Sequence, residues 1–299
     1  MNTRKLEKAV DLRQALQRPS PFPGGFHRVA YPTDRFDLRA AAAQHVAMGG
    51  YTETPLPLDD LHLRVPQEAQ LTEEGPLGAV STNVNDTVPS LAHAYRGLIR
   101  YLAREVLGFD VVFEKNPFLR FHFPVRMPER YRSAQGTILA HHSDTMLGDY
   151  FEQINCWLPL STCYGTNTLQ CATLGTSVEI LSDFAAELGF DAEAYATSRQ
   201  RFFEKLLADQ ALQERVLQSC SPLETRYGEV VMFDPRIVHG TAENIENGTR
   251  VSIDFRLLPL DVYEAYARHF AESDQEPPEF DGMQLLKGGY YDERTAFEL

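Results

Sequence analysis

The period of the apolar positions changes twice along the chain. Over residues 1–18, Leu6, Val10, Leu12 and Leu16 recur at near-helical spacing in a polar stretch. Pro19, Pro21, Pro23 and the Gly24-Gly25 pair end it. Residues 35–48 continue helical through an alanine run to Gly49-Gly50, and a proline-punctuated loop follows over about 54–66. From 88 to 107, Leu91, Ala94, Tyr95, Leu98, Tyr101, Leu102 and Val106 make one apolar stripe. Pro89 lies at its start and Gly108 just past its end. The stripe predicts a helix packed on a sheet, so residues 1–108 read as an α-rich lead-in.

After Gly108 the pattern shortens to extended runs: Val111-Val112-Phe113, Phe118 to Phe123, Thr137-Ile138-Leu139, Phe151 to Leu160 and Leu169 to Leu174. Gly165-Thr166-Asn167-Thr168 supplies turn chemistry between the last two. Residues 176–220 revert to helical spacing, carried by Ala185, Leu188, Phe202, Phe203, Leu206, Leu212 and Val216. Strands return at Glu229–Phe233 and Arg236–Thr241. Arg250–Leu258 then alternates strictly, polar on even positions and apolar on odd. A helix over 261–272 and an irregular tail close the chain.

Short strands, helices before them and one helical excursion among them predict a mainly β fold with helical decoration. The architecture is a double-stranded β-helix, that is, a jelly roll or cupin-like barrel, with N-terminal helices and a helical insertion. One domain spans 1–299: lead-in 1–108, core strands 109–175 and 223–260, insertion 176–222, and C-terminal helix and tail 261–299. A doubly wound parallel sheet would need strand and helix to alternate throughout, and no glycine-rich phosphate loop follows a strand.

Composition narrows the function classes. With 43% hydrophobic and 23% charged residues the chain has ample material for a core. Its formal charge of -14 argues against nucleic acid and anionic membrane as partners and is compatible with a cationic substrate. No run approaches the roughly 18 apolar residues of a membrane span, and Met1-Asn2-Thr3-Arg4-Lys5-Leu6-Glu7 is no secretory signal. Cys156, Cys163, Cys171 and Cys220 lack zinc-knuckle spacing and read as reduced thiols of a cytoplasmic protein.

The chemistry centres on His142-Ser143-Asp144. Residues two apart on an extended chain project to one side, so His142 and Asp144 share a side and His141 faces away. An imidazole and a carboxylate are two thirds of the set that holds non-haem iron(II) on one face. His239, flanked by strands, is the candidate third ligand. Arg250, eleven positions on, opens a strand whose polar face is Arg250, Ser252, Asp254 and Arg256. A buried face with two arginines calls for an anion, and a guanidinium grips a carboxylate through two parallel hydrogen bonds. Arg250 and Arg256 are both candidate clamps. Arg120 with His122, and Gln153 with Asn155, sit on strand faces that can meet co-substrate or substrate, or form satisfied structural pairs.

The pattern His142-Ser143-Asp144, His239 and Arg250 resembles the iron(II)/2-oxoglutarate dioxygenases. Trp157-Leu158-Pro159-Leu160 with its following turn, and His239-Gly240-Thr241 leading to Arg250-Val251-Ser252, are most similar to the phytanoyl-CoA dioxygenase-like branch and its bacterial antibiotic-pathway members. The likeness covers about residues 110–260. It implies iron(II) on His142, Asp144 and His239, and 2-oxoglutarate on Arg250 and Ser252 with Thr241 beside it. It also implies consumption of dioxygen and hydroxylation of a small molecule with release of succinate and carbon dioxide. Asp144 argues against halogenation, because related halogenases lack a carboxylate at that position. Together with the acidic charge, the likeness suggests a cationic amino acid, an aminoglycoside or a peptide-like intermediate as substrate. One segment departs: Ala172-Thr173-Leu174-Gly175-Thr176 stands where the family often has a Pro-Gly-Ser-His turn. Two rival readings remain, a zinc hydrolase on the same three ligands and a non-catalytic jelly-roll binding module.

Overall fold

The computed structural model describes residues 11–48, 52–64, 80–81, 89–114, 117–124, 139–272 and 290–292. The lead-in carries helix α1 (Leu12–Gln17), strand β1 (Phe26–Ala30), helix α2 (Leu38–Met48), strand β2 (Val80–Ser81) and helix α3 (Pro89–Tyr101). Asp11 caps α1 by accepting from the backbone N–H groups of Arg13 and Gln14 at 3.0 and 3.3 Å. α3 runs on through a π-helical turn at Leu102–Leu107 to Gly108, whose φ of 75° closes the helix. Strands β3 (Val111–Glu114), β4 (Phe118–His122), β5 (Leu139–His142), β6 (Ile154–Pro159) and β7 (Gln170–Cys171) follow.

Four insertion helices come next: α4 (Leu174–Glu187), α5 (Ala192–Ala196), α6 (Arg199–Ala208) and α7 (Gln210–Ser219). Strands β8 (Ser221–Pro222), β9 (Glu229–Phe233), β10 (His239–Thr241) and β11 (Arg250–Pro259), helix α8 (Leu260–Glu272) and strand β12 (Tyr290–Asp292) complete the order.

The strands form two antiparallel sheets. The larger runs β1-β9-β6-β11-β3-β12, with β4 also on β11 and β2 on β4; the smaller runs β5-β10-β7-β8. The strict alternation of β11 decides what lies on each side of the larger sheet. Val251, Ile253, Phe255 and Leu257 are fully buried in one core with Leu38, Ala42 and Val46 of α2 and Leu91, Tyr95 and Leu98 of α3. The other face of that sheet looks at the smaller one, where Trp157, Val231 and Phe233 pack against Cys171, Leu169 and Ile237. A third cluster seats the insertion behind the smaller sheet: Phe184, Tyr195, Phe202 and Leu206 pack on Met146, Ala172 and Val238. The result is a jelly roll with helices on both outer faces, and the even-numbered polar residues of β11 point into the space between the sheets.

The lead-in holds more than helix. β1 pairs antiparallel with β9 from Phe26↔Phe233 to Ala30↔Glu229. Its exposed, unalternating sequence Phe-His-Arg-Val-Ala gives no period-2 signal, as befits an edge strand. The tail likewise contributes β12, which pairs with β3. The expected helix over 1–18 is seen as α1, its first ten positions lying outside the described residues. Residues 236–238 form a turn before β10 rather than strand. The four cysteines are free thiols, three of them buried. Among the described residues no helix is long and apolar enough to cross a membrane.

The turn between β9 and β10 is tied to the N-terminal helix. Arg236, 1% exposed, donates to both carboxylate oxygens of Asp234 at 2.8 and 2.7 Å and to the carbonyls of Leu16 and Arg18. Asp234→Ala strands that guanidinium without its counter-charge, and the expected loss of stability is about 3–5 kcal/mol. Urea unfolding of the variant checks this, and an unchanged midpoint would refute it.

Candidate active site

β5 and β10 are neighbours in the smaller sheet, and their register sets His142 directly opposite His239. The ring centroids are 4.9 Å apart. β5 ends at His142, Ser143 stays extended (φ -109°, ψ 142°), and Asp144 opens a 3-10 turn to Leu147. The extended Ser143 is what keeps His142 and Asp144 on one side. Nε2 of His142 and Nε2 of His239 lie 3.4 and 3.5 Å from the same oxygen, Oδ1 of Asp144. One ligand atom from each residue lies within 4.8 Å of the other two.

Three ligand atoms at this spacing could hold one cation. Burial pushes His142 down to about 4, so its imidazole is neutral at physiological pH. Nδ1 of His239 sits 2.9 Å from the Ile237 carbonyl, which only accepts, so Nδ1 is the donor there and Nε2 is the atom turned to Asp144. Burial by itself raises the Asp144 carboxyl, but the Arg256 guanidinium and the two imidazoles outweigh it and hold the group well below the usual range. Oδ1 of Asp144 is buried without a hydrogen-bond partner. Two imidazoles and an unsatisfied carboxylate oxygen converging on one point fit a divalent cation, and two histidines with one carboxylate are the facial set for non-haem iron(II).

The ligand turn is held from two directions. Arg256 donates to Oδ2 of Asp144 through Nε at 3.2 Å and Nη2 at 2.8 Å. Glu114, Asp149 and Asp254 also lie within 4.0 Å of its guanidinium. Burial pushes Glu114 up to about 7 and raises Asp149 well above its ordinary value, so these outer acids take up protons while Asp144 stays ionised. Behind the turn runs a chain of hydroxyls. Ser143 Oγ donates to the Pro235 carbonyl at 2.8 Å, accepts from Thr145 at 2.7 Å, and Thr145 accepts from Tyr195 of α5 at 2.9 Å. The carbonyl terminus fixes that order, since each hydroxyl has one proton to give.

Arg250 and Ser252 lie on the inward face of β11, 4% and 0% exposed. Nε of Arg250 and Oγ of Ser252 have no hydrogen-bond partner. Among the described residues no carboxylate comes within 4.0 Å of Arg250, and burial lowers its pKa to about 10. His122 stands opposite Arg250 across β4 and β11. Burial and the Arg250 charge push its pKa down to about 3, and its Nε2 is also unpartnered. One uncompensated cation with unfilled hydrogen-bonding atoms beside it is a cradle for a carboxylate.

The remaining sequence candidates fall as follows. Arg256 is committed to Asp144 and its neighbours, so it is not available as the anion clamp or for substrate. Arg120 forms a bidentate pair with Asp254 at 2.5 and 2.9 Å, the structural arrangement. Gln153 Nε2 donates to Asp149 and to Asn155, which leaves Gln153 Oε1, Asn155 Nδ2 and the neighbouring Trp157 Nε1 unpartnered. Thr241 is partly buried at the end of β10, and His141 is buried one position before His142. Sequence reasoning gave no role to Thr145, the neighbour of Asp144, and missed Tyr195, Glu114 and Asp149, which no spacing links to the ligands and only the fold brings to them.

No family model matches the chain. The streptomycin biosynthesis protein StrG of Streptomyces griseus is 27% identical over 228 residues, covering 72% of this chain and 85% of that protein. Among solved structures, EvdMO1 superposes with a TM-score of 0.47 at 16% identity over 83% of this chain, which spans only 50% of that one. SnoK, a non-heme alpha ketoglutarate dependent carbocyclase from nogalamycin biosynthesis, gives 0.38 at 13% identity over 87% and 86% of the two chains. Superpositions this loose transfer no residue role, so the roles assigned below rest on the geometry of this chain.

Two outcomes are expected. Tyr195→Phe keeps the ring and removes the hydroxyl that heads the chain behind Asp144, so cobalt(II) or iron(II) affinity falls about tenfold or more with little change in stability. Equal metal affinity in calorimetry would rule that out. For His122 the folded pKa is near 3 and the unfolded one near 6.5, so the unfolded chain binds the extra proton between them. Stability is therefore full above about pH 6.5 and lost as pH falls towards 3, by up to about 1.4 kcal/mol per pH unit. Urea midpoints measured against pH should show a shallower fall in His122→Gln.

Proposed function

We propose that this chain is a non-haem iron(II)- and 2-oxoglutarate-dependent oxygenase that hydroxylates a small-molecule intermediate of antibiotic-type natural-product biosynthesis. The observation that carries the reading is a pairing across the two sheets: three ligand atoms converge on a point, and a buried arginine without a counter-ion lies on the facing sheet. His142, Asp144 and His239 hold the metal. Arg250 and Ser252 hold the distal carboxylate of 2-oxoglutarate, with Thr241 beside the co-substrate. Iron(II) bound there, with 2-oxoglutarate and dioxygen, supplies oxidative decarboxylation to succinate and carbon dioxide coupled to insertion of one oxygen atom into a substrate C–H bond.

The residues around these groups orient and exclude. Arg256 keeps Asp144 ionised and turned to the metal. The Ile237 carbonyl fixes the His239 tautomer. The neutral imidazole of His122 adds a polar atom beside Arg250 without a competing charge, and Trp157 closes the inner wall between the sheets. The likeness to StrG supports the natural-product setting. Free thiols and the acidic charge accord with a cytoplasmic enzyme whose partners are small molecules rather than nucleic acid or membrane. A zinc hydrolase or a silent binding module would leave the uncompensated Arg250 without a role.

Anaerobic addition of iron(II) and 2-oxoglutarate is expected to give a weak visible charge-transfer band. Arg250→Ala should weaken 2-oxoglutarate binding by about 2–5 kcal/mol, the cost of truncating one partner of a buried charge pair. Asp144→Ala should abolish succinate release. Absence of the band, with unchanged co-substrate affinity in Arg250→Ala, would sink the proposal.

A further inference from the structure

The helical insertion brings one more charge to the cleft. Arg199 is the first residue of α6, and that helix packs against β5, the strand ending in His142. Arg199, Phe202 and Leu206 share one helix face at i, i+3 and i+7. Phe202 and Leu206 are fully buried against Met146, two residues past Asp144, and Val238, one before His239. Arg199 lies one turn before that apolar seat on the same helix face, and helical side chains lean towards their own N-terminus. The electrostatics agree. After burial, Arg199 is among the charges acting on His142, and it is itself attracted by Asp144.

The residue is exposed. Among the described residues it has no hydrogen bond, ion pair or ring contact. Arg120 pairs with Asp254, Arg256 with Asp144, and Arg236 with Asp234, while Arg250 is assigned to the co-substrate. The like charges of Arg120 and Arg256 also bear on Arg199. Among these described arginines, it is the cation without a partner or an assigned role.

We infer that Arg199 is a substrate-binding residue and that the substrate presents an oxyanion, a carboxylate or a phosphate, to it beside the metal ligands. This rests on the oxygenase reading above. It also reverses what the bulk composition suggests: the chain is acidic overall, yet any cationic group of the substrate must lie away from Arg199.

The test is calorimetric titration of sodium phosphate, and separately sodium acetate, into protein preloaded anaerobically with cobalt(II) and 2-oxoglutarate, which fills the Arg250 cradle. Wild type should bind at least one of the two anions, and which one distinguishes phosphate from carboxylate recognition. Arg199→Gln should weaken that binding by about tenfold or more, and Arg199→Lys by less, since it keeps the charge and loses only the fork. 2-Oxoglutarate affinity should be unchanged in both variants. The inference falls if wild type binds neither anion, if Arg199→Gln binds as well as wild type, or if the glutamine variant loses 2-oxoglutarate instead. Wild-type protein that takes up neither cobalt nor 2-oxoglutarate would mean that the oxygenase reading has failed. The same titration in an Arg250→Gln background, with and without Arg199→Gln, then still decides whether Arg199 holds an anion.

Discussion

The contact on which the rest depends is the one between Arg256 and Asp144. A carboxylate that is 1% exposed is driven by desolvation to take up a proton, and a protonated Asp144 is no anionic ligand. The guanidinium at 2.8 Å reverses that preference. It serves Glu114, Asp149 and Asp254 as well, so acid outnumbers base around it. The imbalance is resolved outward: Glu114 and Asp149, farther from Arg256 at 3.7 and 3.9 Å, are the acids pushed up, while the one touching the ligand set stays charged. A buried ion pair of this kind adds little net stability. What it supplies is a defined charge and orientation at one oxygen.

Arg256 can do this because β11 is fixed in register by its other face. Val251, Ile253, Phe255 and Leu257 are each fully buried, at roughly 1.5–3 kcal/mol apiece for the large side chains. A slip of one residue against β6 or β4 would turn Arg250, Asp254 and Arg256 into the apolar core under α2 and α3. The energy that selects the fold therefore also sets the separation between the anion cradle at Arg250 and the carboxylate anchor at Arg256. Core and site are two faces of one strand.

That alternation was legible in the sequence, and so were the three ligand candidates, because period and spacing report which side of a strand a residue occupies. They do not report what lies across the gap. Arg250 and Arg256 share a face six positions apart, and nothing local separates clamp from anchor. The difference is that Asp144 and Glu114 reach one and no described carboxylate reaches the other. Arg120 gives the same lesson, since its partner Asp254 comes from β11, more than a hundred residues away. β1 was missed for a different reason: no residue of this edge strand is fully buried, and its two half-buried positions, Phe26 and Val29, are three apart and show no period of two.

The insertion shows why its chemistry was the least legible and what its position constrains. Tyr195 and Arg199 stand four residues apart where α5 passes into α6. Tyr195 ends the hydroxyl chain that holds Ser143, between the two ligands. Arg199, exposed at the start of α6, is the residue assigned to the substrate. The segment between them is pinned by the buried Ser198, whose hydroxyl donates to the Tyr195 carbonyl at 2.6 Å. A change in the insertion that moved Arg199 to suit another substrate would pull on the same short turn that steadies Asp144. Substrate recognition and metal geometry are thus mechanically linked through four residues, and variation in the insertion is least constrained where it leaves that junction in place, in α4, α7 and the exposed faces beyond.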